Sequence, residues 1–173
     1  VITKVKLRTV EAQNSNWGLL FFFENDESAC EFADRIAGND CVFALEYMDR
    51  ACFELLSQYK NSMTVLSALP DIPGNSNAMI YTELCAQNED KIENAAEELM
   101  EVCAEVGVDP DLAWAMTGSE IRKLRDLRHA ISECINMRIS ENHAKDTRIK
   151  KLSADIKWKG KSRIDILNYY RDK

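Results

Sequence analysis

The chain has 173 residues, 46% of them hydrophobic and 29% charged, a composition of ordinary globular proteins that excludes disordered, collagenous and low-complexity classes. Its net charge of −7 and pI near 5.0 speak against a nucleic-acid binder. Its longest apolar run, Leu19 to Phe23, falls far short of the roughly 20 residues of a membrane span. The charge is split: residues 1–120 hold 7 Lys and Arg against 22 Asp and Glu, and residues 121–173 hold 15 against 7. A basic end on an acidic body suits a small anion or a docking face better than nucleic acid, because its basic residues alternate with acids on a helical period.

Ile2 to Val10 alternates β-branched or apolar with polar residues and reads as a strand. Trp17 to Phe23 is a second, apolar strand. Asn25 offers an N-cap and Asp26-Glu27 an acidic first turn to a helix reaching Ile36, with Gly38 as its stop. Cys41 to Tyr47 reads as a strand and Met48 to Tyr59 as a helix. Asn61 to Asn77, with Pro70, Pro73 and Gly74, is a connection holding at most a turn of local structure. Ala78 to Cys85 is the next strand, and Asn88 caps a long helix closed by Gly107. Leu112 to Met116 reads as an edge strand, and Thr117-Gly118-Ser119-Glu120 as a T-x-x-E capping box for a helix reaching about Arg138. A strand within Ile149 to Trp158 and a final helix from about Ser162 complete the order.

The alternation of helices with half-polar strands predicts an α+β fold. We expect a ferredoxin-like antiparallel or mixed sheet, with helices packed mainly on one face, forming a single domain over residues 1–173. No glycine-rich loop follows a strand, and no nucleophile elbow or zinc-protease motif occurs. The six cysteines never form C-x-x-C and sit in apolar contexts, the pattern of reduced core thiols in a cytoplasmic protein. With only His129 and His143 to join them, no metal site is expected.

The helix from Ser119 to Arg138 carries the residues of interest. Leu124, Leu127, Ile131 and Ile135 form its buried stripe. Arg128 lies at the margin, Ser132, Arg125 and Asn136 lie just beside it, and Arg125 projects about 60° further out. A guanidinium at such a margin needs an anion. Either it pairs with an Asp or Glu of a neighbouring element, or Arg128 and Ser132 together bind a carboxylate, whose geometry the planar fork matches. His129, on the polar side, is a surface residue or a group at the same pocket mouth. Lys150 and Lys151 read as a solvated pair or as added positive charge. Glu46, which interrupts an apolar strand, faces the open side of the sheet or partners a basic helix. His143 lies in a loop-like composition and receives no role.

Arg125-Asp126-Leu127-Arg128-His129-Ala130-Ile131-Ser132-Glu133-Cys134-Ile135-Asn136, followed by Lys151-Leu152-Ser153-Ala154-Asp155, resembles the C-terminal domain of FAD-linked oxidases. These are flavoenzymes of the D-lactate dehydrogenase, glycolate oxidase and D-2-hydroxyglutarate dehydrogenase kind. Val1 to Leu7, Trp17 to Phe23 and Ala44-Leu45-Glu46-Tyr47-Met48-Asp49 resemble the family's earlier strands in the same order. The resemblance implies a substrate-side cap that closes over FAD held by a second domain of the same polypeptide. That domain would precede Val1, and the family's metal-binding histidines would follow Lys173, so the chain alone is expected to be inactive. It further implies that Arg128 and Ser132 hold the carboxylate of a D-2-hydroxy acid, that Lys151 adds charge, and that His129 orients the hydroxyl or acts as base. Implied partners are a small anionic substrate and, beyond the FAD domain, an electron-transfer partner or a second copy of the chain. One departure stands out: Lys157-Trp158 replaces the family's usual Val-Pro after the position of Asp155. The competing expectation is a stand-alone α+β binding or interaction module without catalysis.

Overall fold

Leu19, Leu20, Phe21, Phe22 and Phe23 are all buried. Consecutive strand residues point to opposite faces, so an unbroken apolar run requires cover on both sides of its sheet. The computed structural model, which describes residues 3–7, 9, 12–67, 71–151 and 163–171, supplies that cover. Strand β1 (Ser15–Phe23) pairs antiparallel with β3 (Ala78–Ala86), Ser15 opposite Ala86 and Phe23 opposite Ala78. On its other side β1 pairs antiparallel with β4 (Trp114–Thr117), Leu20 opposite Trp114. Strand β2 (Val42–Asp49) pairs antiparallel with β3 and forms the second edge, giving the order β2-β3-β1-β4. This split β-α-β order is the ferredoxin-like arrangement, and the fold is α+β as the sequence predicts.

Helices α1 (Asp26–Ile36) and α4 (Glu89–Glu105) cover one face, packing Phe32, Ile36, Ile92 and Leu99 against Leu19, Phe21, Phe23, Ile80 and Leu84. Helices α2 (Arg50–Tyr59), the short α3 (Thr64–Ser67) and α5 (Ile121–Lys145) cover the other. There Phe53, Leu56, Leu66, Leu124 and Leu127 meet Leu20, Phe22, Met79 and Tyr81. The expectation of helices mainly on one face is therefore corrected, and the reason is the two-sided burial of β1 and β3. Helix α6 (Arg163–Arg171) packs on α1, with Arg163 paired to Asp34 and Arg171 to Asp26.

Asn25 and Asn88 cap α1 and α4 through the amides of Ser28 and Lys91, and Gly107 ends the turn after α4 at a φ of 81°, which favours glycine. Gly18 sets the height of α5 above the sheet: a Cβ there would lie 2.8 Å from Ile121 Cγ1 and 3.2 Å from Leu124 Cδ1. The missing side chain lets the first turns of α5 settle onto β1.

Other local expectations need correction. Thr3 to Leu7 form no strand, and Val5 and Leu7 are exposed, since no neighbouring strand takes up their backbone. Ile149 to Lys151 form none either, and the rest of that expected strand, like Asp155 and Lys157-Trp158, lies outside the described residues. The T-x-x-E box does not close. Gly118 adopts a φ of 55°, a 3₁₀ turn spans Gly118–Glu120, and Glu120 pairs with Lys123 at 2.5 Å instead of reaching back. Helix α5 also runs through His143, whose Nδ1 donates to the Ile149 carbonyl at 2.8 Å and ties the returning chain to the helix end.

Candidate functional site

Two glutamates interrupt the apolar face beneath α5: Glu46 on the edge strand β2 and Glu83 on the central strand β3. The register sets Glu46 opposite Tyr81 and Glu83 opposite Ala44, so the two carboxylates are diagonal neighbours on one face. A carboxylate placed there requires a cation from the covering helix, and α5 supplies one to each.

Glu83, only 6% exposed, receives both teeth of the Arg125 fork, Nε to Oε1 at 3.0 Å and Nη2 to Oε2 at 2.6 Å. The Tyr81 hydroxyl also donates to Glu83 Oε1. The Arg125 guanidinium and the tyrosine hydroxyl hold the Glu83 carboxyl below the usual carboxylate range, against the opposing effect of burial. Burial, reinforced by the adjacent carboxylate, pushes the Tyr81 phenol upward, so it stays a donor. Both Glu83 oxygens and the Tyr81 hydroxyl are engaged, and the geometry is that of a structural ion pair.

Arg128 differs. Its Nε donates to Glu46 Oε2 at 2.7 Å, and both side chains are a little over a third exposed, at 38% and 35%. Among the described residues neither Nη nitrogen has a partner. Arg128 thus has the neighbouring acid that one sequence reading requires, and it keeps the open edge of its fork that the other requires. Glu46 is resolved as the partner of the basic helix.

Ser132 is exposed one turn further along, about 6 Å in axial rise, on the same side of α5. Asn136 follows after another turn, and its Oδ1 accepts from Lys151 Nζ at 3.1 Å, which brings Lys151 to this flank of the helix. The structure therefore places Arg128, Ser132 and Lys151 along one edge of α5. His129 is exposed, about 100° around the helix from Arg128, and has no hydrogen-bond partner among the described residues.

Arg125 is the more exposed of the two arginines, 43% against 38% for Arg128, as the helical projection predicts. Arg125 has the more deeply set partner because Gly18 lets α5 approach the sheet at that end. The Tyr81–Glu83–Arg125 group was missed in sequence, although a glutamate within the apolar Ala78–Ala86 run was its visible signal.

A cavity of about 690 Å³ lies between α2 and residues 71–76, with Leu127 of α5 and Trp114 of β4 in its lining; Phe53, Leu56 and Leu66 give it apolar walls, Arg50, Glu54, Lys60 and Asp71 polar ones, and none of the four predicted residues touches it. The N-termini of three helices do not suit the diphosphate of a dinucleotide. The N-termini of α1, α2 and α4 are closed by Asn25, Asp49 and Asn88, and α1 and α4 carry acids in their first turns. Among the described residues no group of three or more His, Cys, Asp and Glu is arranged to hold a metal, and no helix is long and apolar enough to cross a membrane.

No curated protein matches the chain. The model of the family FAD linked oxidases, C-terminal domain, matches residues 13–153, which span both core layers and the whole α5 edge, and the chain belongs to that family.

Proposed function

We propose that residues 1–173 form the substrate-side cap domain of a flavoenzyme that oxidises a D-2-hydroxy acid of the lactate or glycolate kind. Family membership makes the chain part of a flavin-dependent oxidoreductase and weighs against a stand-alone module. FAD, held by the second domain, supplies the hydride acceptor, and this chain contributes substrate recognition.

The observation that carries the reading is the open Nη edge of Arg128. One tooth of the guanidinium is fixed by Glu46, and the other edge presents two parallel N–H donors, the geometry a carboxylate accepts. Ser132 stands beside it to donate a further hydrogen bond, and Lys151 adds positive charge along the same edge. His129, about 100° around the helix from Arg128 and three residues before Ser132, would orient the hydroxyl or accept its proton from the Asn136 side of this edge.

The test is Arg128→Lys in the flavoenzyme containing this chain, assayed with D-lactate and glycolate. Lysine keeps the charge and loses the fork, so kcat/KM should fall by about tenfold or more, the equivalent of a charge-assisted hydrogen bond. The melting temperature should barely change. Arg125→Lys should do the reverse, lowering thermal stability while kcat/KM per folded molecule holds. Equal activity losses at both positions would replace the carboxylate site with a general electrostatic field.

A further inference from the structure

We infer that Glu46 is a positioning residue, one that locks the Arg128 guanidinium in the orientation that receives the substrate carboxylate; this rests on the carboxylate-binding role of Arg128 given above. An arginine side chain has four rotatable bonds, and an exposed fork loses that freedom when it grips an anion, which weakens binding. The Nε–H···Oε2 bond at 2.7 Å removes much of that freedom beforehand. Because the guanidinium is planar, fixing Nε also fixes the direction of both Nη groups.

The rest of the layer restricts Glu46 to this partner. On the same face its neighbours are Tyr81, whose hydroxyl is committed to Glu83, and Glu83, whose carboxylate is filled by Arg125. Glu46 is thus the carboxylate that Arg128 bonds, while the charge of Arg128 also acts on the nearby Glu83, and strand β2 holds Glu46 in register. The Glu46–Arg128 pair is close to neutral seen from a distance. It therefore directs the incoming carboxylate rather than attracting it.

Steady-state kinetics of the flavoenzyme containing this chain, with D-lactate as the probe and a dye as electron acceptor, test the inference. Glu46→Ala should raise KM by about fivefold, the cost of immobilising one long side chain on binding, with kcat nearly unchanged. Glu46→Gln keeps an acceptor oxygen facing Nε–H and should recover most of that loss. In an Arg128→Ala background, Glu46→Ala should add nothing. A KM unchanged by Glu46→Ala while Arg128→Ala raises it tenfold or more overturns the positioning role and leaves the carboxylate site standing. A KM unchanged by Arg128→Ala overturns the carboxylate site, and the role of Glu46 falls with it. The orientation is also read without turnover, in the chain itself. The side-chain Nε–H resonance of Arg128 should carry the shift and slow exchange of a hydrogen-bonded group, lose both in Glu46→Ala, and keep them in Glu46→Gln. A resonance indifferent to Glu46→Ala would likewise overturn the inference.

Discussion

Truncating Arg125 to alanine leaves a nearly buried carboxylate with the Tyr81 hydroxyl as its remaining side-chain donor. Breaking a fully buried ion pair from one side costs about 3–5 kcal/mol. The Arg125 side chain is 43% exposed, so water enters the vacated space and the expected cost is smaller, about 2–3 kcal/mol. For a chain of this size that lowers the melting temperature by roughly 4–12 °C. The loss should depend on pH with a definite sign. In the parent, Arg125 depresses the Glu83 carboxyl, so the pair's stabilisation is present above the unfolded value, near 4.3, and is lost as the pH falls through the lower folded value. In the variant, burial is opposed only by the Tyr81 hydroxyl and the charge of Arg128, so ionising Glu83 in the folded state becomes less favourable than in the parent. The stability gap should be full above about pH 6 and should narrow as the pH falls through about 4. Urea denaturation followed by tryptophan fluorescence at pH 7, 5 and 3.5 measures it. A gap of constant size across that range, or an equal loss in Arg128→Ala, would refute the distinction between the two arginines.

Gly18→Ala forces a Cβ against Ile121 and Leu124 and should cost about 1–3 kcal/mol by denaturation, whereas Gly38→Ala, whose added Cβ would meet nothing within 4 Å, should be near neutral. All six cysteines are free, and burial pushes the Cys30 and Cys103 thiols up to about 11 and the Cys52 thiol, beside Asp49, up to about 12. These three should therefore react slowly with a thiol reagent at pH 8 in the folded chain, and six thiols should titrate once it is unfolded without reductant. Fewer than six would mean that oxidation has paired some of them.

Elements governed by local chemistry could be read directly from the residues. Asn25 and Asn88 cap the helices they precede, and the apolar periods of α1, α4 and α5 face the core. What depended on neighbours was less legible. The apolar run of β1 was visible, but that it implied helices on both faces required knowing that it is a central strand. The alternation from Ile2 to Val10 resembled a strand, yet pairing is a property of two segments, and the described residues there have no partner strand. Thr117 and Glu120 have the spacing of a capping box, and the left-handed turn at Gly118 prevents it from closing. At the site, periodicity identified Arg128 as a marginal cation. It could not tell which of the two arginines met the buried acid, because that depends on the height of α5 over Gly18.

The division of labour between these two arginines follows from how many of their donors are used. Each faces a glutamate from the sheet, so charge pairing alone does not separate them. Arg125 spends two donors of its fork, Nε and Nη2, on one buried carboxylate of the central strand, so the edge of the guanidinium that faces the sheet is filled. Arg128 spends only Nε, on a glutamate of the edge strand, and both side chains remain more than a third exposed. A second carboxylate can join it without breaking the first contact. Helix α5 thus uses one guanidinium to anchor itself to the sheet, and the anchored helix holds the next guanidinium, three residues later, at a fixed height beside Glu46. The pairing at Arg125 thus supports the helix, and the Nη edge that we propose for a carboxylate is that of Arg128.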